Sequence, residues 1–189
     1  MKESFDVNTH TGSHDEQLAC IVKEYVRRCN YHPDMEKLRE LLSKVTDEQK
    51  LNILQQTKSE RYSTALHKAA DRDDAEMITT ILSYLQPSDR LRLLMMKDNV
   101  KRTPLHEAAS EGHTESVKVI LNSLTADQQM QLLTAEKYWH GTCRTAADMA
   151  SGQTADVLSE YKNRARERAS PGEFIPLTFH VVFIYFTFL

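Results

Sequence analysis

The sequence has few of the residues that interrupt a chain or brace it covalently. It contains five glycines, five prolines and three cysteines among 189 residues. So little glycine and proline favours a helix-rich chain. Cys20, Cys29 and Cys143 show no metal-ligand spacing, and an odd number of cysteines without an apolar leader favours a reducing compartment. We therefore expect a cytoplasmic protein whose free thiols are partly buried in helices.

Patterns of catalytic and nucleotide-binding sites are also missing. The chain has no G-x-G-x-x-G, phosphate-binding loop, H-E-x-x-H, C-x-x-C or G-x-S-x-G string. Its net charge is −3, whereas nucleic-acid binding calls for a basic stripe. We therefore expect no enzymatic activity, no cofactor, no metal site and no nucleic-acid partner.

What the sequence does contain is a repeated string. The letters TALHKAA at residues 64–70 recur as TPLHEAA at residues 103–109, and a weaker copy, TAADMA, occupies residues 145–150. Threonine suits a helix N-cap, proline suits the first helical position, and paired alanines allow neighbouring helices to approach closely. Gly112 fits a helix end that needs a positive φ. Repeats at intervals of about 40 residues indicate a stacked array of similar units.

The repeated string resembles the start of an ankyrin repeat, and residues 111–121 are similar to that family's turn and second helix. The resemblance covers residues 60–160. It implies a turn and two antiparallel helices in each unit, and a role in binding other proteins. We therefore expect an all-α, ankyrin-type helical repeat solenoid with short turn or finger loops. It also implies that His67 and His106 brace turns by hydrogen bonding to neighbouring backbone, and are not metal ligands.

The period of this chain departs from the family. Ankyrin units are about 33 residues long, but the copies here start at residues 64, 103 and 145. The extra length has its own repeat, because residues 45–51, 85–91 and 124–130 align, each with a capping signal and an acidic first turn. We predict a short third helix inserted between the second helix and the next turn.

These boundaries divide the chain into six parts. We predict a disordered N-terminus (1–14), a degenerate N-terminal helical capping unit (15–63), two ankyrin-like repeats (64–102 and 103–144), a C-terminal capping repeat (145–168) and a hydrophobic tail (169–189). Residues 174–189 are rich in aromatic and β-branched residues but shorter than the roughly 20 residues of a membrane-spanning helix. They could be a truncated or unusual membrane anchor, a segment packed on the last repeat, or a non-native C-terminus.

The finger loops and first helices of ankyrin-like arrays line a concave face, and here they predict a binding surface. Trp, Tyr and Arg dominate interface hot spots, and Trp139 is the single tryptophan of the chain. The alternative is that Trp139 packs down on a helix of its own unit. The predicted contact residues are Arg61, Tyr62, Lys68, Asp71, Lys101, Arg102, Glu107, Glu111, Tyr138 and Trp139.

The function that these expectations favour is non-catalytic recognition of another protein by a monomeric scaffold or adaptor. Two alternatives stay open at this stage. The chain could be a membrane-tethered scaffold held by residues 174–189, or an N-terminal fragment of a larger ankyrin-containing signalling protein.

Overall fold

The computed structural model describes residues 34–55, 63–139 and 142–168. The predicted disordered segment (1–14), the first part of the predicted capping unit (15–33) and the hydrophobic tail (169–189) lie outside these residues. The described helices are α1 (Met35–Lys44), α2 (Asp47–Gln55), α3 (Ala65–Asp71), α4 (Ala75–Ser83), α5 (Pro87–Leu94), α6 (Pro104–Glu111), α7 (Thr114–Asn122), α8 (Ala126–Leu133), α9 (Ala146–Met149) and α10 (Gly152–Arg168), and the strands are β1 (Lys137–Trp139) and β2 (Thr142–Arg144).

The helices form three rows that run along the stack. Helices α3, α6 and α9, which begin with the repeated string, pack side by side as the first row. Helices α1, α4, α7 and α10 form the second row, and α2, α5 and α8 form the third. At the end of the array α10 contacts both α7 and α8, because its 17 residues extend across the second and third rows. The predicted all-α repeat solenoid is confirmed, and so is the inserted third helix. The boundaries drawn between the units stay an interpretation.

Local capping explains where the helices begin. The three threonines of the repeated string are the N-caps of α3, α6 and α9, and Pro104 occupies the first turn of α6. Two of the inserted helices, α2 and α8, use the same device with glutamine: the Thr46 and Thr125 hydroxyls each accept the backbone N–H of the glutamine three residues later. Each glutamine side chain accepts the threonine N–H in return. These reciprocal bonds satisfy donors that a helix end leaves orphaned.

The apolar positions of the repeated string form the centre of the core. Leu66 and Leu105 are 1% and 0% exposed at equivalent places in α3 and α6. The alanine pairs that follow them are also buried, so the helices of the first row approach closely. The third copy has Ala147 in the leucine position, half-buried against the same core. Burying each leucine contributes roughly 2 kcal/mol.

In three described units, the turn between the first and second helix contains a left-handed residue. Gly112 has φ 77° and Gly152 has φ 54°, as the sequence predicts for Gly112, and Asp73 fills the equivalent place with φ 56°. Aspartate tolerates this conformation better than most residues. Its carboxylate also accepts the backbone N–H of Ser116 (3.1 Å) and the Ser116 hydroxyl (2.7 Å). The turn of one unit therefore caps the second helix of the next.

Candidate functional site

Within the described residues, two complete or nearly complete finger loops join the third helix of one unit to the first helix of the next. The first finger, residues 95–103, connects α5 to α6, and the second finger, residues 134–145, connects α8 to α9. Residues 140 and 141 of the second finger lie outside the described residues. Because both ends of each finger are fixed by packed helices, the rows of the stack determine where the tips lie.

The first finger is closed by Asp98, whose side chain is fully buried. Its Oδ1 accepts the backbone N–H groups of Val100 (3.0 Å) and Arg102 (2.7 Å). Its own N–H donates to the Arg102 carbonyl at 2.9 Å. These bonds satisfy the turn's backbone donors internally. The exposed Lys101, with φ 63°, is therefore presented by a pre-ordered turn.

The second finger contains an antiparallel hairpin where the sequence predicted a plain turn. Its register pairs Lys137 with Arg144 and Tyr138 with Cys143, and Trp139 pairs with a threonine. The strands form because aromatic and β-branched residues favour an extended, paired backbone. Successive side chains of a strand point to opposite faces, so Lys137 and Arg144 share one face and Tyr138 and Cys143 share the other.

The hairpin exposes the ring of Tyr138 to solvent. It is 65% exposed, and in the described part of the chain no other large hydrophobic side chain is classed as exposed. A tyrosine offers a wide apolar ring and a polar hydroxyl with little conformational entropy to lose. The hairpin therefore carries a contact residue of the kind that dominates protein interfaces.

The two fingers are tied together at their bases. The Lys97 ammonium of the first finger donates to the Glu136 carbonyl of the second at 2.7 Å. The Cys143 thiol donates to the Glu136 carboxylate at 2.7 Å, which raises the pKa of Cys143 because the bond favours the protonated thiol. Cys143 is exposed on a strand, so the expectation of a partly buried helical thiol is wrong for this residue. Cys20 and Cys29 lie outside the described residues.

A buried histidine lies beneath each finger and joins the first helix of its unit to the end of that finger. His67 Nε2 is 2.9 Å from the Arg102 carbonyl, and His106 Nε2 is 3.3 Å from the Arg144 carbonyl. In each case Nδ1 accepts the backbone N–H of the threonine that begins the same helix. A carbonyl can only accept, so Nε2 carries the proton and both imidazoles are neutral. The predicted turn-bracing role of these histidines is confirmed.

The third copy of the string replaces the histidine with Asp148. Its carboxylate accepts the backbone N–H and the hydroxyl of Thr145, both at 2.8 Å, and these bonds lower the pKa of Asp148. A carboxylate can cap its own helix, but it has no N–H group that could donate to the backbone carbonyl of a further finger. That chemistry suits α9, the last described helix of the first row.

The environment of the histidines is both dry and positively charged. Burial lowers the pKa of His67 and lowers that of His106 to about 4. For His106, the neighbouring cations of Lys97, Lys137 and Arg102 add to the lowering. The side chains of the two fingers therefore place several positive charges close to one buried imidazole.

Arg102 and Glu107, two of the predicted contact residues, pair with each other below the first finger. Arg102 Nη2 lies 2.9 Å from Glu107 Oε1, and Arg102 Nε lies 3.7 Å from Asp98 Oδ2. The Glu107 side chain is only 8% exposed. Burial raises the pKa of Glu107 to about 7, an effect that Arg102 opposes and the carboxylates of Asp98 and Asp71 reinforce.

The remaining predicted contact residues are divided between the tips and the first row. Lys101, Tyr138, Asp71 and Glu111 are exposed, and Lys68 is half-buried on α3. The backbone of Trp139 lies in β1, whereas its side chain is not among the parts that the structure describes. Arg61 and Tyr62 lie outside the described residues. The sequence alone did not single out Lys97, Lys137 and Arg144, because only the register and packing of the fingers bring them together.

Glu107→Gln is expected to change how stability depends on pH. The folded pKa of Glu107 is about 7 against 4.5 when unfolded, so the folded state binds more protons between these values. Stability of the wild type from this group therefore falls as pH rises from about 4.5 to about 7. Glutamine does not titrate, so the variant lacks this loss. The melting temperature of the variant should therefore rise relative to that of the wild type between about pH 5 and about pH 8. A constant difference across that range would contradict the pKa.

The described residues show neither a metal site nor a membrane span. Within them, no three His, Cys, Asp or Glu side chains are grouped as a metal ion would require. None of the helices in the described ranges has the length and apolar character needed to cross a bilayer.

Comparison with known proteins identifies the repeat. The sequence profile of ankyrin repeats (three copies) matches residues 26–131, more than half of the chain. No curated protein matches the sequence significantly. The fold is similar to a chain in the crystal structure of the yeast ribosomal protein Rps3 in complex with its chaperone Yar1, with 18% identity, a TM-score of 0.51, and coverage of 81% of this chain and 93% of that chain. This chain belongs to the ankyrin-repeat family, a typically non-catalytic protein-interaction fold.

Proposed function

We propose that this protein recognises another protein, without catalysis, through its finger tips and the adjoining concave face of the first row. The observation that carries the proposal is Tyr138, 65% exposed on a hairpin that the array holds in place. In the free protein this ring is in contact with water, so burying it against a partner contributes favourable free energy to binding. The pairing of β1 with β2 fixes where the ring is presented.

The rigidity of the fingers supports this proposal. Asp98 closes the first finger through three backbone hydrogen bonds, and the bond from Lys97 joins it to the second. His67 and His106 fix the ends of both fingers to the first row. A surface ordered before binding loses little conformational entropy when the partner arrives.

The contact residues have different roles in this proposal. Tyr138 and Trp139 are the anchors, and Lys101 contacts the partner from the first finger. The exposed and half-buried residues of the first row, Lys68, Asp71 and Glu111, contact it along the concave face. Arg61 and Tyr62, which lie outside the described residues, stay predicted contact residues from their place in the sequence. Arg102 and Glu107 support the tip from beneath. The protein acts as a cytoplasmic monomer.

The test is quantitative affinity capture with the full chain. We expect the double variant Tyr138→Ala, Trp139→Ala to lose the specific partner that the wild type captures. Truncating a hot-spot residue costs about 2 kcal/mol, or roughly 30-fold in affinity for each. The matched control is Glu115→Ala, Lys118→Ala on α7, in the second row, where these two residues form an exposed ion pair. Capture that is unchanged in the Tyr138/Trp139 variant would refute the proposed surface.

A further inference from the structure

We propose that the basic finger patch, formed by Lys97, Lys101, Lys137 and Arg144, binds an acidic segment of the partner protein. This inference rests on the proposed function and adds the chemistry of the ligand. The exposed or half-exposed side chains of these four residues lie on two fingers that the Lys97–Glu136 hydrogen bond joins.

The charge of the fingers is opposite to that of the chain. Residues 95–103 and 134–145 together contain five lysines or arginines and two acidic residues, whereas the whole chain has a net charge of −3. One of the two acids, Asp98, is buried beside Arg102 and offers no charge to the surface. An acidic partner is therefore attracted to the fingers and repelled by the rest of the chain, which selects the binding orientation.

The hairpin register supplies a second, independent observation. Lys137 and Arg144 are directly opposite each other, and like charges in such a pair destabilise a hairpin. The two other cross-strand pairs of the hairpin contain no lysine or arginine, so neither has a repulsion of this kind. A carboxylate bound between the two cations would convert their repulsion into two ion pairs, and the arginine could hold it with two parallel hydrogen bonds.

Lys97 brings a third positive charge to the base of the hairpin, where it acts on both His106 and Cys143. Its ammonium lies on the Glu136 carbonyl, one residue before Lys137. Lys97 and Lys137 both act on the buried ring of His106, whose Nε2 contacts the Arg144 carbonyl. The carboxylate of Glu136 belongs to the opposite face, where the Cys143 thiol donates to it. The hairpin therefore places no acidic side chain of its own beside Lys137 and Arg144. A carboxylate that does act on Arg144 is that of Asp148 on α9, which already accepts two hydrogen bonds from Thr145.

An acidic protein segment fits this surface better than a nucleic acid does. Nucleic-acid binding that is strongly salt-dependent commonly uses about 6–10 phosphate contacts, and the patch offers four cations in a chain of net negative charge. Tyr138, on the other face of the same hairpin, provides an apolar surface for the side chains that flank acidic residues in a protein. A short acidic segment would cover the patch and leave Tyr138 for the remainder of the partner.

The experiment titrates the full chain into fluorescein-labelled peptides and follows anisotropy at physiological salt. The probes are a glutamate-rich peptide, a lysine-rich peptide of equal length, and a DNA duplex of similar charge. We expect binding of the glutamate-rich peptide alone, weakening as salt is raised. The variant Lys137→Gln, Arg144→Gln should lose about tenfold in affinity. The control Lys118→Gln, Arg164→Gln removes the same charge from cations that pair within α7 and α10, and should stay within about twofold.

Melting curves of the free variants separate binding from folding. Removing the like-charge pair should leave the melting temperature of Lys137→Gln, Arg144→Gln equal to or above that of the wild type. Equal loss of peptide binding in both charge variants, or no binding of the acidic peptide, would overturn the inference, as would tighter, patch-dependent binding of the duplex. If the charge variant keeps full affinity for a captured partner that Tyr138→Ala, Trp139→Ala loses, the acidic-ligand inference falls and the proposed function stands.

Discussion

Leu105→Ala is expected to lower the free energy of unfolding by about 3 kcal/mol. Leu105 is 0% exposed in α6, which packs against the first helix on either side and against α7. Truncation removes the transfer free energy of the lost carbons and leaves a cavity. The buried alanines of α6 cannot fill the cavity, because they carry no side chain beyond Cβ. The effect is large for one residue because each unit of a solenoid depends on the interfaces with its neighbours.

Urea unfolding followed by circular dichroism would measure this change. The matched control is Leu105→Met, which conserves volume and should cost less than about 1.5 kcal/mol. A cost below about 1 kcal/mol for Leu105→Ala would mean that the site collapses without a cavity. It would contradict the close packing of the first row that the burial of Leu105 indicates.

His106→Ala is expected to cost about 3 kcal/mol at neutral pH, because it leaves buried polar groups without partners. The imidazole accepts the Thr103 N–H at 3.3 Å and contacts the Thr103 hydroxyl at 2.8 Å. It also donates to the Arg144 carbonyl, the bond that joins this unit to the second finger. The variant should therefore weaken the hold of the stack on the hairpin as well as the cap of α6. Faster amide hydrogen exchange in β1 and β2 would show the second effect.

The same histidine is expected to make the protein sensitive to acid. Its folded pKa is about 4 and its unfolded pKa is 6.5, so the unfolded state binds more protons between these values. Its contribution to stability is complete above about pH 6.5, is lost as the pH falls toward 4, and is on the order of 3 kcal/mol. The titration of Glu107 has the opposite slope in an overlapping range. The comparison is therefore made in a Glu107→Gln background, with and without His106→Ala.

Urea unfolding at several pH values between about 4 and 7 gives the slope for each chain. We expect the chain with His106 to lose stability on acidification more steeply than the chain without it. His67 has the same arrangement and a lowered pKa, so the variant should retain part of the slope. Parallel curves would show that His106 is not held neutral in the folded state.

The sequence alone predicted the features that depend on neighbours along the chain. Threonine before an alanine- or proline-led helix predicts the cap of each first helix, and Gly112 predicts the left-handed turn. The recurrence of the string predicted that Leu66 and Leu105 share one environment, because the same local motif repeated at a regular interval must pack against copies of itself. The three aligned capping signals predicted the third helix in the same way. Each cap and turn depends on residues three or four positions apart, so the sequence alone is enough to recognise it and its repeats.

Tertiary structure decided what depends on residues far apart in the sequence or on pairing. The sequence does not show which side chains of residues 137–144 share a face. The register decides this, because it sets Lys137 opposite Arg144 and places Tyr138 on the other face. From the sequence Glu107 is expected to be an exposed charge on a helix, whereas in the packed structure it is buried against Arg102. The carbonyls that His67 and His106 reach lie at the far ends of the two fingers, 35 and 38 residues away. The sequence thus determined a stack of capped helical units, whereas folding determined which charges are buried and which face a partner, because burial and long-range pairing exist only once the units have packed.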